Sequence, residues 1–525
     1  MKNKSYPLYK VELITDLREM LEVKRRDRSL DFAFAYFLRD DIRYVSYGVF
    51  ADEVSRLGNY ILTDDRFGNH IGILGENSYE WLLAYFAIVN TGRVAVLFDK
   101  DMTDSEIESL TTKFDVDSFF FSEKNASKVP ESKRNNSICL NEIDSLFEIE
   151  YRSGDLGNDL YDKITLEPDR CCCIFFTSGT TGERKGVMLS HSNIAFDIVG
   201  SSRLFRLEGN TYTVLPFHHA FGLIVGVLMV FHYGYTVYLS SGLKRIKKEL
   251  LLSKPQTMML VPLFIETFKK QICDAVRKED RERMLSIAIK VSDYLYSIGI
   301  DLRKRLFSSI RDSFGGNLEY IICGGAALDN RYIAYFRSFG IEILCGYGTT
   351  ECSPCVGVNR NHYHVDGSVG VPIPGSEAKI ADDGEVLIRG PHVMLGYYGD
   401  ESASTDVLTV DGWYKTGDLG LIDDNGFITL TGRKKNLIIR SNGENVSPEE
   451  LEERIKTIEG VEEVVVSDDN GQIKAEIYSS EQNIHDAVYK GIESLNRVLP
   501  SYKRIEKTVF RDVEFEKTTS MKIKR

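Results

Sequence analysis

The chain has 525 residues, more than one hydrophobic core usually holds, so two or more domains are expected. With 43% apolar and 27% charged residues it reads as a soluble globular protein, and a net charge of −13 argues against nucleic-acid binding, which wants a basic face. The first ten residues lack an apolar signal core, and the longest strongly apolar run, Leu223 to Phe231, is about half a membrane span, so a cytoplasmic protein with no transmembrane segment is expected.

In chain order, Phe50 to Leu62 is helical in pattern, and Ile71 to Leu74 reads as a short buried strand. Asn77 to Asn90 has helical spacing, Val94 to Phe98 is a second strand, and Asp115 to Phe121 and Cys171 to Phe176 add two more. Strands alternating with helices indicate a doubly wound α/β sheet. The polar stretch Lys124 to Asn136 reads as a connecting loop. Nine cysteines show no paired zinc spacing, and Cys171 to Cys173 read as small buried hydrophobes.

The last of these strands runs into Thr177-Ser178-Gly179-Thr180-Thr181-Gly182-Glu183-Arg184-Lys185-Gly186, and a helix is expected from near Ser190. Glycines and hydroxyl residues let backbone N–H groups turn inward while Arg184 and Lys185 supply positive charge, as a polyphosphate requires. It is not a Walker A loop, because Lys185 is followed by Gly186 rather than Ser or Thr. Downstream, Leu215-Pro216-Phe217-His218-His219-Ala220-Phe221-Gly222 leads into an apolar helix, and Lys269 to Phe314 is charged and helical. Ile321 to Leu328 reads as strand, tight turn and helix, with Gly324, Gly325 and Ala326 leaving room for a flat ring against the backbone. Gly346-Tyr347-Gly348-Thr349-Thr350-Glu351 offers an aromatic face for a purine, hydroxyls for a phosphate and a carboxylate for Mg²⁺. Gly384 to Gly390 alternates as a strand. Asp418, after a glycine turn, suits a ribose diol, which offers two donors to one anion. From Arg433 onward, 17 basic residues nearly balance 18 acidic ones, so the excess acidity lies earlier. Pro448 and the acidic residues after it suit a helix start, with strands expected at Val461 to Ser467 and Ile473 to Tyr478.

Taken together and in this order, the phosphate loop, the His219 turn, Gly324-Gly325-Ala326, Tyr347 to Glu351, Asp418, Thr431-Gly432-Arg433-Lys434-Lys435-Asn436 and the terminal Lys517 to Arg525 resemble the adenylate-forming (ANL) superfamily, and most closely its acyl-CoA synthetases. The resemblance covers essentially the whole chain. It implies a large N-terminal domain, 1–432, of doubly wound sheets with a small β-rich subdomain, and a small mobile α+β C-terminal domain, 433–525, hinged near Lys435. By resemblance, Thr177, Ser178, Gly179, Thr180, Thr181 and Gly182 hold ATP phosphates with Lys185, while Gly324, Gly325 and Ala326 line the adenine pocket. Tyr347, followed by Gly348 and Thr349, packs on adenine, Thr350 contacts the α-phosphate and Glu351 helps hold Mg²⁺. Asp418 binds ribose, Arg433 reaches the nucleotide and His219 sits at the acyl site. Cys352 and Cys355 line the neighbourhood of that pocket.

Lys522 matches the lysine that drives adenylation. A carboxylate approaching an α-phosphate meets a repulsion of roughly 4 kcal/mol at about 4 Å with an effective dielectric near 20, which a bridging lysine removes. The chain departs from the family at Met521, commonly Gly, and at Glu516, commonly Pro. The implied reaction joins a carboxylic acid to a thiol using ATP, with CoA as acceptor and a separate carrier protein as the alternative; a homodimer is left open. The turn at Leu215 to Gly222 carries no acid to pair with an α-amino group, which favours a carboxylic acid without one. The His219 region, Leu260 to Phe264 and Cys345 to Val356 are apolar and carry no charge for a second polar head, which favours a fatty acid, with an aryl or cinnamic-type acid second. An oxidative luciferase and a non-catalytic nucleotide-binding paralogue share these motifs and remain as alternatives.

Overall fold

Short apolar runs build the first sheet. Strands β1 (His70–Leu74) and β2 (Val94–Phe98) are buried along their whole length, as parallel strands covered on both faces must be. Between them in sequence, helix α1 (Tyr79–Asn90) starts where the Ser78 hydroxyl accepts from the Trp81 N–H, and eleven of its twelve residues are buried. A helix apolar all round belongs inside, and one continuous core joins it to strands of both large sheets. The computed structural model describes residues 6–39, 41–147, 160–178, 184–440, 444–480, 484–517 and 523.

Strand β3 (Cys171–Ser178) runs parallel to β2, and β4 (Arg184–Ser190) returns antiparallel to it, pairing Thr177 with Lys185. The expected strand, loop and helix therefore gain a second strand: the Gly/Thr-rich stretch joins the two arms of a hairpin. The run from Lys185 to Ser190 satisfies its backbone groups on β3 and, on its other side, on Gly396–Tyr397. Helix α2 (His191–Leu204) then begins at a capping box of Ser190 and Asn193. The strand expected from Asp115 starts only at Ser118, because Asp115 is left-handed with φ +49°. The polar 124–136 stretch contains two short helical turns, Glu123–Lys128 and Glu131–Arg134.

The second sheet has nine strands. At its centre β5 (Thr257–Leu260) leads into helix α3 (Pro262–Lys278), followed by helix α4 (Glu282–Ser297), then β6 (Tyr320–Cys323) and β7 (Glu342–Gly348). These three strands are parallel and in register, so Leu260, Cys323 and Cys345 lie side by side and their C-terminal loops emerge together, where open α/β sheets bind ligands. The helix expected directly after Gly324-Gly325 begins only at Asn330, capped by Asp329.

A four-stranded antiparallel sheet follows, containing Glu377–Ile380, β8 (Glu385–Arg389), β9 (Tyr414–Ile422) and β10 (Ile428–Arg433). Beyond it a separate core running from Ile438 to Ile505 supports helix α5 (Pro448–Ile455), helix His485–Val498 and a three-stranded sheet. The fold is thus a large α/β domain with a β-rich portion and a small α+β domain. Arg331 of the large domain donates to the carbonyls of Lys456 and Thr457 just beyond α5.

Candidate active site

The loops after β6 and β7 are shaped by backbone demands that only glycine meets. Gly325 has φ +86°, and a Cβ on Gly348 would sit 2.1 Å from the Pro354 carbonyl oxygen. Tyr347, between Gly346 and Gly348, is buried on β7. Strands β9 and β10 pair Asp418 with Arg433, and Arg433 Nε reaches Asp418 Oδ1 at 2.6 Å. The Tyr347 hydroxyl donates to the other oxygen, Oδ2, at 2.5 Å. Burial first, and then the Asp418 charge, push the Tyr347 phenol well above its usual range, so it remains a donor. Three residues read separately in the sequence thus form one cluster. Gly324 is buried, and Ala326 lies exposed in the same loop.

A second cluster forms across the β3–β4 hairpin. Gly179, Thr180, Thr181 and Gly182 lie outside the described residues; Thr177 closes against Lys185. Lys185 Nζ stands 4.6 Å from the ring centroid of Tyr397, whose hydroxyl donates to Glu351 Oε1 at 2.9 Å. The Met394 N–H donates to the Glu351 carbonyl, and the Tyr398 N–H to that of Gly186, so the segment 394–398 ties the two motifs together. Burial and the Glu351 charge raise the Tyr397 phenol. The sequence, in which Met394 to Tyr398 continues the resemblance, gives Tyr397 no role of its own until strand Gly396–Tyr397 adds to β4. Among the described residues no cation lies within 4 Å of the Glu351 carboxylate. Thr349 and Thr350 are half-buried at the turn that ends in Cys352.

His219 is half-buried and its ring lies 4.4 Å from that of His218. His218 is buried and meets Asp99, at the end of β2, with Nε2–Oδ1 3.4 Å. Burial, reinforced by His219, lowers His218 to about 3, so it stays neutral. The His219 turn itself carries no acid, but tertiary structure brings Asp99 beside it, where it accepts from the Asp101 N–H and lies close to the His218 ring. No spacing in the sequence signals that meeting. At the expected hinge Lys435 is exposed, whereas its neighbour Lys434 pairs with Asp383 at 2.6 Å and with Glu385 at 2.9 Å. Ser178 is described only in its backbone, and Lys522 lies outside the described residues.

With this geometry in view, residues 24–398 match the family model described as AMP-binding enzyme. The chain belongs to the AMP-binding enzymes. Within the adenylate-forming superfamily this AMP-binding enzyme groups with the acyl-CoA synthetases. It is 31% identical over 431 residues to the long-chain-fatty-acid–CoA ligase FadD15 of Mycobacterium tuberculosis, covering 77% of this chain and 71% of that protein. It is 24% identical over 551 residues to the long-chain-fatty-acid–CoA ligase 6 of Mus musculus, covering 95% and 79%. ATP-bound MatB of Rhodopseudomonas palustris superposes with TM-score 0.78 at 22% identity over 97% of both chains. O-succinylbenzoate CoA synthetase of Bacillus subtilis, solved with ATP and magnesium, gives 0.74 at 21%, covering 96% and 98%. These two likenesses establish the fold of this AMP-binding enzyme.

Proposed function

We propose that this chain joins a fatty acid to CoA through an acyl-AMP intermediate. The observation that carries the reading is the Tyr347–Asp418–Arg433 cluster at the end of β7, next to the glycine turn after β6, which suits a nucleoside, with the Lys185–Tyr397–Glu351 cluster offering opposite charges suited to its phosphates and their metal ion. In the first step a carboxylate oxygen attacks the α-phosphorus and the bond to pyrophosphate breaks, with Lys185 offsetting the leaving charge and Lys522 the attacking side. Thr350 contacts the α-phosphate, Asp418 accepts from the ribose hydroxyls, and the backbone of Thr177 to Gly182 cradles the phosphates. In the second step the thiol sulfur attacks the acyl carbon, the bond to AMP breaks and the thiol proton is released.

Glu351, a hard carboxylate with no cation within 4 Å among the described residues, fits Mg²⁺, which would neutralise phosphate charge there. The Tyr397 hydroxyl fixes the orientation of that carboxylate. The small domain turns about Lys435 between the steps, so that Lys522 serves adenylation and withdraws for thiol attack. Lys434, held by Asp383 and Glu385, would anchor the large-domain side of that hinge.

A fatty acid is favoured by the similarity to long-chain-fatty-acid–CoA ligases such as FadD15 and by the apolar turn before Gly222. Acid-dependent ATP–pyrophosphate exchange tests the reading, with acetate to palmitate, benzoate, coumarate and amino acids as substrates. Exchange with the longer alkyl acids is expected. Exchange confined to aryl acids or amino acids would overturn the substrate, and none with any acid from a folded, ATP-binding protein would overturn the activity. Thioester formation with CoA, against a carrier-protein thiol, decides the acceptor.

A further inference from the structure

Helix α4 carries an apolar stripe on its outer side. Met284, Ile287, Val291 and Tyr294, spaced by three and four residues on one helical face, are 58%, 54%, 49% and 66% exposed, while only Ser292 of the whole helix is buried. A shallow groove beside the stripe is closed by Leu306, itself 47% exposed. A soluble domain rarely leaves so much contiguous apolar surface without a use.

Its charge surroundings say what it fits. Arg283 and Lys290 flank the stripe on the same helix, Lys278 ends α3 just before it, and Arg305 precedes the groove residue Leu306; all four are exposed and make no ion pair with a described residue. Residues 277–306 hold eight Lys and Arg against five Asp and Glu, in a chain whose net charge is −13. An apolar stripe edged by unpaired cations, on an otherwise anionic molecule, is the pattern of a helix that lies in the interface of a bilayer.

We propose that the outer face of α4 docks this protein on an anionic bilayer surface, the stripe entering the headgroup boundary and the flanking cations meeting lipid phosphates. Among the described residues no helix is long and apolar enough to cross a membrane, so this contact lies on the surface. A two-fold contact between copies through the same stripe would set the unpaired cations against one another, which disfavours that occupant. The stripe also stands well away from the β5–β7 strand ends: α3 begins just after Val261, which lies beside Gly325, and its 17 residues span about 25 Å before the turn into α4. Docking therefore leaves the candidate site clear.

The test is flotation of the whole protein with vesicles, without turnover. The wild type is expected to float with phosphatidylcholine–phosphatidylglycerol vesicles, to do so more weakly as salt rises, and to stay behind with phosphatidylcholine alone. Ile287→Glu with Val291→Glu should lower binding by about a hundredfold, and Arg283→Gln with Lys290→Gln by about 25-fold, at about fivefold per charge. Because all four positions are exposed, the melting temperature should not move. The proposal is overturned if the wild type does not float with the anionic vesicles, or if the Ile287→Glu, Val291→Glu protein floats as well as wild type. It is also overturned if sedimentation shows a dimer that this variant dissociates with no vesicle binding, which would make the stripe a contact between copies.

Discussion

Two tyrosine–carboxylate pairs face the proposed nucleotide, and they differ in one respect. Tyr347 donates to Asp418 and Tyr397 donates to Glu351, each through a buried phenol whose own ionisation burial suppresses. Asp418 has in addition the Arg433 guanidinium at 2.6 Å, so its charge is answered within the protein. Glu351 has no such partner among the described residues, and the cation of its cluster, Lys185, stands on the Tyr397 ring instead. The same hydrogen bond thus serves two ends. A compensated carboxylate suits a neutral diol, and an uncompensated one suits a metal ion. Secondary structure produces the difference, since β10 places Arg433 directly opposite Asp418 whereas Glu351 sits in the short helical turn Thr350–Cys352 after β7 and faces a tyrosine from a separate segment.

The largest effect is expected outside both pairs. Lys522→Ala should slow acyl-AMP formation by on the order of a hundredfold or more, while thioester formation from supplied acyl-AMP survives. Rapid-quench measurement of the two half-reactions decides, and an equal fall in both would remove Lys522 from adenylation alone. Next, Glu351→Gln should raise the Mg²⁺ concentration needed for exchange by about tenfold to a hundredfold, with activity restored at high Mg²⁺. Arg433→Ala should raise the KM for ATP by about tenfold and leave the Mg²⁺ requirement alone, as loss of one charged hydrogen bond does. Were the two phenotypes exchanged, the contrast between the pairs would be wrong.

Smaller effects concern stability and motion. Burial lowers His191 and His232 to about 4, below the usual 6.5. Protons then bind the unfolded chain first, so their stabilisation is complete above about pH 6.5 and is lost as pH falls toward 4, each contributing a slope of at most about 1.4 kcal/mol per pH unit. Thermal melting between these limits should show the decline, and His191→Gln should flatten it. Lys434→Ala breaks a half-exposed pair worth under about 1 kcal/mol, so the ratio of the half-reaction rates should change by no more than about fivefold. A larger change would make Lys434 the pivot rather than an anchor beside it.

Much of the architecture was legible because its signals are local. Continuous apolar runs announced β1 and β2, Ser190 and Pro448 announced the helices they open, and the glycines at 325 and 348 occupy positions where the backbone admits nothing larger. Strand β4 was missed because Arg184 to Ser190 follows a glycine-rich loop and reads as its continuation; only pairing with β3 and Gly396–Tyr397 makes it a strand. Tyr397 and Asp99 were missed for the same reason at the level of the site, each gaining its role from a partner far away in sequence, Glu351 in one case and His218 in the other.

The sequence by itself determined the family, the order of the motifs and the residue types able to bind a nucleotide, because these depend on spacing and on side-chain chemistry within a few positions. Tertiary structure decided which carboxylate an arginine neutralises and which meets a tyrosine hydroxyl but, among the described residues, no cation, where Lys185 stands, and which face of α4 is left bare. Those are outcomes of strand pairing and helix packing, which bring together residues that no local pattern relates.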